Sequence, residues 1–188
     1  MARPKSNDKR NAILDAATRV IVAQGLNAPT ATIAKEAGIS NGSLFTYFET
    51  KAELFNQLYL DLKTGMAAAI LDGFPAKASL RKQALHIWLN WTNWATTSPE
   101  KRRALAQLAV SDQITPETRA AAQQIMAGLA DLMERIRAGG PMKNAPMPFV
   151  GAIMTSLAET TMDFMVKDPA NAEQHCMAGF DAFWRSIA

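Results

Sequence analysis

Between Thr30 and Glu53 the chain reads TATIAKEAGISNGSLFTYFETKAE, and this stretch restricts the fold more than any other. Ala31 to Ala37 has the composition of a short helix, and Gly38 supplies the left-handed residue that ends it. Ser40 or Asn41 caps a second short helix ending near Phe48. Thr50 and Glu53 form a T-x-x-E capping box that opens a long helix through Leu54, Leu58, Leu62 and Ile70. Ala34 and Ala37 allow the two short helices to cross closely, while Ile33, Ile39, Leu44 and Phe48 supply their apolar grip. Two such helices joined by a glycine turn outline a helix-turn-helix, the motif that lays its second helix in the major groove of DNA.

On that outline Asn41, Gly42, Ser43 and Thr46 form a polar face able to meet base edges. Thr30 places a hydroxyl where a phosphate would lie, at a helix start that favours an anion. Tyr47 and Lys51 flank the far end and suit the DNA backbone. In the first ten residues Arg3, Lys5, Lys9 and Arg10 face only Asp8 as an opposing charge. Two readings of that basic arm stand side by side: a reach to phosphates or the minor groove, and a solvated terminus. An alanine-glycine turn between amphipathic helices also occurs in small helical domains of other kinds. Here the turn, the capped third helix and the basic arm occur together in one order, which favours DNA.

The remaining residues carry helix signals and no strand signals. A first helix is expected from about Asn7 to Gln24, with Ile13, Ala16, Ala17, Val20 and Ile21 on one face. Ser79 precedes another helix, and Ser98-Pro99, Thr115-Pro116 and Asp168-Pro169 each pair a capping residue with a first-turn proline. Gly139 to Pro148 reads as a loop. The expectation is an all-α chain of about nine helices, with a DNA-binding domain over residues 1–55 and a ligand-binding and dimerisation domain over 56–188. One helix belongs to both. With 188 residues, 48% of them hydrophobic, there is material for a full core. The net charge of +3 suits a polyanionic partner.

Cys176 is the only cysteine, so an intrachain disulfide is excluded and a reducing compartment fits. No charge-free apolar run reaches membrane-spanning length, and MARPKSNDKR lacks the apolar core of a secretory signal. A cytoplasmic protein with no membrane partner is expected. Catalysis has few candidates. His86 and His175 are the only histidines, without metal-ligand spacing, and His175 faces away from Cys176 on its helix. No glycine loop for phosphates and no nucleophile elbow is present. Glu159 and Asp163, four apart, read as polar groups near a pocket or a dimer seam. No catalytic residue, metal or cofactor is expected. Trp88, Trp91 and Trp94 fan along one side of a helix at three-residue spacing. Core packing and a ligand wall both explain them, since ten methionines can fill the gaps of a core.

Residues 7–62, and above all IAKEAGISNGSLFTYFETKAEL, resemble the N-terminal domain of the TetR family of repressors. That resemblance implies a protein of nine or ten helices that dimerises through its last two and releases DNA on binding a small molecule. Thr30, Ser40, Gly42, Ser43, Tyr47 and Lys51 fall on family DNA-contact positions. Asn41 stands where lysine is common, which removes a charged guanine contact. Phe45 stands where tyrosine is common, which removes a phosphate-bonding hydroxyl. MARPKS, QLAVSDQIT, LAETTMDF and DPANA resemble the narrower RamR-type group of multidrug-responsive repressors.

That group implies control of efflux or stress-resistance genes and effectors that are bulky, hydrophobic or aromatic, and often cationic. Trp88, Tyr59 and Lys63 match its ligand-lining positions, while Gly151 replaces its acidic residue and Met154 its phenylalanine. The expected effector wall is Tyr59, Lys63, Met66, Ile70, Trp88, Trp91, Met133 and Met154. The expected seam of a homodimer is Ala158, Thr161, Met165, Ala172, Cys176, Gly179 and Phe183. The partners implied are palindromic operator DNA, a hydrophobic or aromatic effector and a second copy. Two rivals stay open: a DNA binder with no ligand switch, and a helical protein that sequesters hydrophobic compounds without specific DNA binding.

Overall fold

Left-handed glycines end the helices that organise the N-terminal part of the chain. In the computed structural model, which describes residues 4–188 with side chains from Asn7 onward, α1 (Pro4–Gln24) stops at Gly25, whose φ is 78°. The Gly25 N–H donates to the Ile21 carbonyl at 2.8 Å. The α2 helix (Thr30–Glu36) ends the same way, at Gly38 with φ 68°. There Gly38 N–H donates to Lys35 O at 3.1 Å and Ile39 N–H to Ala34 O at 3.0 Å, the paired bonds of a Schellman cap.

Ser40 caps α3 (Asn41–Leu44), its hydroxyl accepting the Ser43 N–H at 3.1 Å. Helical geometry was expected to about Phe48. The α3 helix is shorter and passes into turns, with Phe48 N–H still donating to Leu44 O at 3.1 Å. The capping box opening α4 (Lys51–Leu71) forms with a shift of register. Glu53 N–H donates to the Thr50 hydroxyl at 3.0 Å, but the Glu53 carboxylate accepts from the Glu49 N–H at 2.6 Å.

The chain forms two compact units, Met1–Thr64 with Pro99–Gln123, and Gly65–Ser98 with Gln124–Ala188. This compactness does not follow the expected functional division at residue 55. Residues 99–123 pack with the N-terminal helices, and α4 begins in one unit and ends in the other.

In the first unit the expected α1 face of Ile13, Ala16, Ala17, Val20 and Ile21 is buried, as are Ile33, Leu44, Phe48, Leu54, Phe55 and Leu58. The α6 helix (Pro99–Ala109) adds Ala104 and Leu108, and α7 (Pro116–Ile125) follows. The Asn56 amide holds the turn between them, donating to Gln113 O at 2.8 Å and accepting the Thr115 N–H at 2.9 Å.

The second unit packs α5 (Leu80–Thr97), α8 (Ala127–Arg137), α9 (Met147–Lys167) and α10 (Ala172–Ile187) around Trp88, Val150, Ala158, Met162, Phe180 and Phe183. Gly179 lets α9 and α10 touch, because a Cβ there would strike the Thr161 side chain. Arg137 fastens the irregular loop by donating to the carbonyls of Met142, Lys143 and Ala145 at 3.1, 3.0 and 2.6 Å.

The architecture is all-α, with ten α-helices among the described residues. The count of nine runs residues 116–137 together. They break at Met126 (φ −97°, ψ 4°), with no proline at the break and only Gly128 nearby to lower helix propensity. Pro169 opens a 3-10 turn, Pro169–Asn171, rather than α10 itself. No helix among the described residues is long and apolar enough to cross a membrane.

Candidate functional site

The tip of the first unit is set by three helices whose inner faces are fully used. Leu44 and Phe48 are buried beneath α3, and α2 contributes Ile33 and Ala34 below it. What remains outside is Ser40, Asn41, Gly42, Phe45 and Thr46, all exposed, with Ser43 half-buried. The Ser40 and Ser43 hydroxyls lie 2.9 Å apart, and the Thr46 hydroxyl donates to Ser43 O at 2.7 Å. Asn41 and Phe45 stand one turn apart on the same outward face, and the Asn41 amide has no hydrogen-bond partner among the described residues.

Thr30 and Tyr47 are half-buried at the sides of this tip. Lys51, also half-buried, holds its Nζ 5.4 Å from the Phe55 ring, and burial pulls its ammonium below the ordinary lysine value. Arg19 and Glu36 join α1 to α2 at 2.7 Å, an exposed pair of small energetic weight. Arg10, expected in the basic arm, is engaged inside the unit. Its guanidinium sits 5.6 Å from the Phe48 ring and donates to Gln57 Oε1 at 3.0 Å. Arg3 lies outside the described residues, as does the side chain of Lys5.

In the second unit Trp88 is 1% exposed. Its indole N–H donates to Cys176 O at 3.0 Å, and its ring stacks on Phe183 at 5.5 Å and 12°. A cavity of about 20 Å³ lies against it, walled by Ala84, Ile87, Trp91, Leu132, Met133 and Met154, among others. The wall is apolar throughout, and the volume holds no more than a water-sized body.

Residues 13–58 match the model of the bacterial regulatory proteins of the tetR family. Residues 13–58 form a TetR-type DNA-binding domain. The whole chain also has the fold of TetR-family regulators. It is similar to a TetR-family transcription regulator from Shewanella sp. PV-4 at 29% identity and TM-score 0.84, covering 94% of this chain and 96% of that one. A second regulator of the family, from Marinobacter aquaeolei VT8, matches at 24% identity and TM-score 0.88 over 99% and 98% of the two chains. The TetR-like regulator LfrR of Mycobacterium smegmatis, solved in complex with proflavine, matches at 18% identity and TM-score 0.69 over 96% and 97%.

Within the TetR-type domain the expected contact residues Thr30, Ser40, Asn41, Gly42, Ser43, Thr46, Tyr47 and Lys51 fall on or beside one tip. The expected effector residues divide. Trp88, Trp91, Met133 and Met154 line one cavity. Met66 and Ile70 are buried in the same unit without lining it. Tyr59 and Lys63 belong to the first unit, where Lys63 Nζ stands 5.7 Å from the Tyr59 ring. Burial raises the Tyr59 phenol above its ordinary value, with the Arg119 charge opposing, and burial lowers the Lys63 ammonium.

The residues of the expected seam are placed as follows within the chain. Ala158, Thr161, Cys176 and Phe183 are buried in their own subunit, and Gly179 abuts Thr161 and Trp88 there. Small residues on α9 and α10 serve the contact between those two helices. Met165 and Ala172 are half-buried. The sequence reading takes Phe45 only as a tyrosine's replacement, without its place beside Asn41 on one outward face, and does not mark Asn56 as a clamp. The i, i+4 spacing of Asn41 and Phe45 was a usable signal for the first; nothing local marks the second.

The histidines are held by polar neighbours. His86 Nε2 lies 2.8 Å from Asp72 O and 3.0 Å from the Asn90 amide nitrogen. His175 Nε2 lies 2.9 Å from Asp168 Oδ2, and this bond together with Asn171 holds the Asp168 carboxyl below its usual range.

Proposed function

We propose that this chain is a ligand-responsive transcriptional repressor that binds a palindromic operator as a homodimer and acts in the cytoplasm. The observation that carries the reading is the outward tip Ser40–Thr46, polar in its hydroxyls and amide, mounted on a buried three-helix base in a TetR-type domain. A single tip of this size covers one half-site, so a twin about 34 Å away, or a multiple of that, completes the operator. The pairing surface proposed lies on α9 and α10, and Phe164 of α9, 50% exposed, is its apolar candidate.

The effector site is proposed at Trp88, Trp91, Met133 and Met154. Proflavine, the ligand of LfrR, is a flat aromatic cation, the chemistry that a tryptophan and methionine wall accepts. The RamR-type likeness points the same way, towards efflux or stress-resistance genes. Gly151 leaves that wall without the group's acid, so stacking and apolar contact carry more of the affinity than charge does. Because the cavity is nearly closed, an effector has to displace side chains, and the wall of flexible methionines is the part able to yield. Displacement there is proposed to reach the tip through α4, continuous from Lys51 to Leu71. Ligand and DNA then oppose one another with a shared coupling of about 1–3 kcal/mol.

The test is selection of bound duplexes from a random pool by the full chain at about 0.15 M salt, followed by displacement with proflavine. Enrichment of a two-fold symmetric site, weakened by the dye, is the expected result. Equal retention of every sequence ends the proposal.

A further inference from the structure

The reading helix carries no cation. From Ser40 to Phe48 the sequence is SNGSLFTYF, without a lysine or arginine. Bidentate recognition of guanine O6 and N7 in the major groove is the work of arginine or lysine. That recognition is missing from this face, and the groups in its place have a definite character.

Three hydroxyls are committed locally. Ser40 accepts the Ser43 N–H at 3.1 Å, the two serine hydroxyls meet at 2.9 Å, and Thr46 donates to Ser43 O at 2.7 Å. Thr46 is exposed and carries a methyl group beside that engaged hydroxyl. Phe45 is 40% exposed, one turn beyond Asn41 and on the same face, while Leu44 and Phe48 are buried opposite. The Asn41 amide is exposed and has no partner among the described residues. Gly42 adds no side chain between Asn41 and the approaching groove, and only the Ser40 hydroxyl, 4.0 Å away, lies near where a Cβ would sit. Beside these hydroxyls the face carries one unpartnered amide and two apolar groups, the Phe45 ring and the Thr46 methyl. An asparagine amide pairs bidentately with adenine N6 and N7, and apolar groups pack on the thymine methyl.

We infer that the half-site bases touched by this helix are A·T pairs, with Asn41 reading adenine and Phe45 and Thr46 reading thymine methyls. The inference rests on the proposed DNA-binding role and goes further by naming the bases. Phe45 is then a specificity residue, not a lost phosphate contact.

The experiment uses the full chain and the duplex enriched in the selection above. Each thymine of the enriched half-site is replaced in turn by deoxyuridine, which keeps the pairing and removes only the methyl. Binding is expected to weaken about fourfold at the contacted positions, the value of one buried methyl group. Phe45→Ala, at an exposed position, is expected to keep its thermal melt while its preference for the enriched duplex over a scrambled one falls about fourfold. It should no longer distinguish thymine from uracil at its own position. Asn41→Ala is expected to lose roughly tenfold and to become indifferent to 7-deazaadenine, which lacks the N7 acceptor.

An enriched half-site built on essential guanines, with no response to uracil at any position, overturns this inference and leaves the repressor reading intact. Failure to enrich any duplex overturns both.

Discussion

The two compact units use their most informative side chains in opposite ways. At the tip of the first, Asn41, Phe45 and Thr46 are exposed, and every apolar neighbour below them is consumed in packing. In the second, Trp88 is 1% exposed, stacked on Phe183 and hydrogen-bonded to Cys176 O. A surface prepared for DNA has to be finished before its partner arrives, since reordering it on binding weakens affinity. A cavity for effectors of varied shape has the reverse requirement. On the proposed function it stays filled by its own side chains until a ligand replaces their contacts. The difference teaches that the first unit turns polar groups outward over a packed base, while the second keeps its large aromatics inside.

The largest effect should come from the second unit. Trp88→Ala removes a fully buried indole and is expected to cost about 3–5 kcal/mol in denaturant unfolding. A loss below about 1 kcal/mol would mean that the indole is not a keystone, and the contrast between the units would break. At the turn of the first unit Gly38→Ala meets no atom within 4 Å of the new Cβ, so backbone strain at φ 68° acts alone. About 1–2 kcal/mol is expected from thermal melts, and a neutral result would show that the turn relaxes at no cost.

Ser40→Ala deletes the acceptor of the Ser43 N–H and should remove about 1 kcal/mol. Operator binding measured in parallel sharpens the comparison, because an affinity loss larger than the loss of the cap would place the Ser40 hydroxyl itself on the DNA.

The smallest effect concerns the α9–α10 junction. Asp168 has a depressed pKa in the folded protein, so its contribution is present above the ordinary carboxylate range and fades as pH falls through the folded value. Melting temperature followed from about pH 6 down to about pH 3 should fall less steeply in His175→Ala than in the parent chain. Parallel curves would remove this bond from the account.

Legibility in the sequence tracks locality. Gly38, Ser40 and Thr50 act within five residues of themselves, so their caps could be read from letters alone. The α1 face was legible because a helical period repeats along it. Met126 was not, since neither a capping residue nor a proline marks the break. Nor was the inward facing of Ala158, Cys176 and Gly179, because a small residue looks the same whether it meets its own subunit or another. Arg10 read as a free cation until Phe48 and Gln57 were brought beside it.

Short-range chemistry thus determined the helical class, the reading motif and its signature residues from the order of amino acids alone, because turns, caps and periodic faces are encoded within a few residues. Only the folded chain decided which face of α9 and α10 is spent inside, how little room stands beside Trp88, and which hydroxyls at the tip are already engaged. Those outcomes depend on contacts between residues as far apart as Trp88 and Cys176, and separation in sequence carries no record of distance in space.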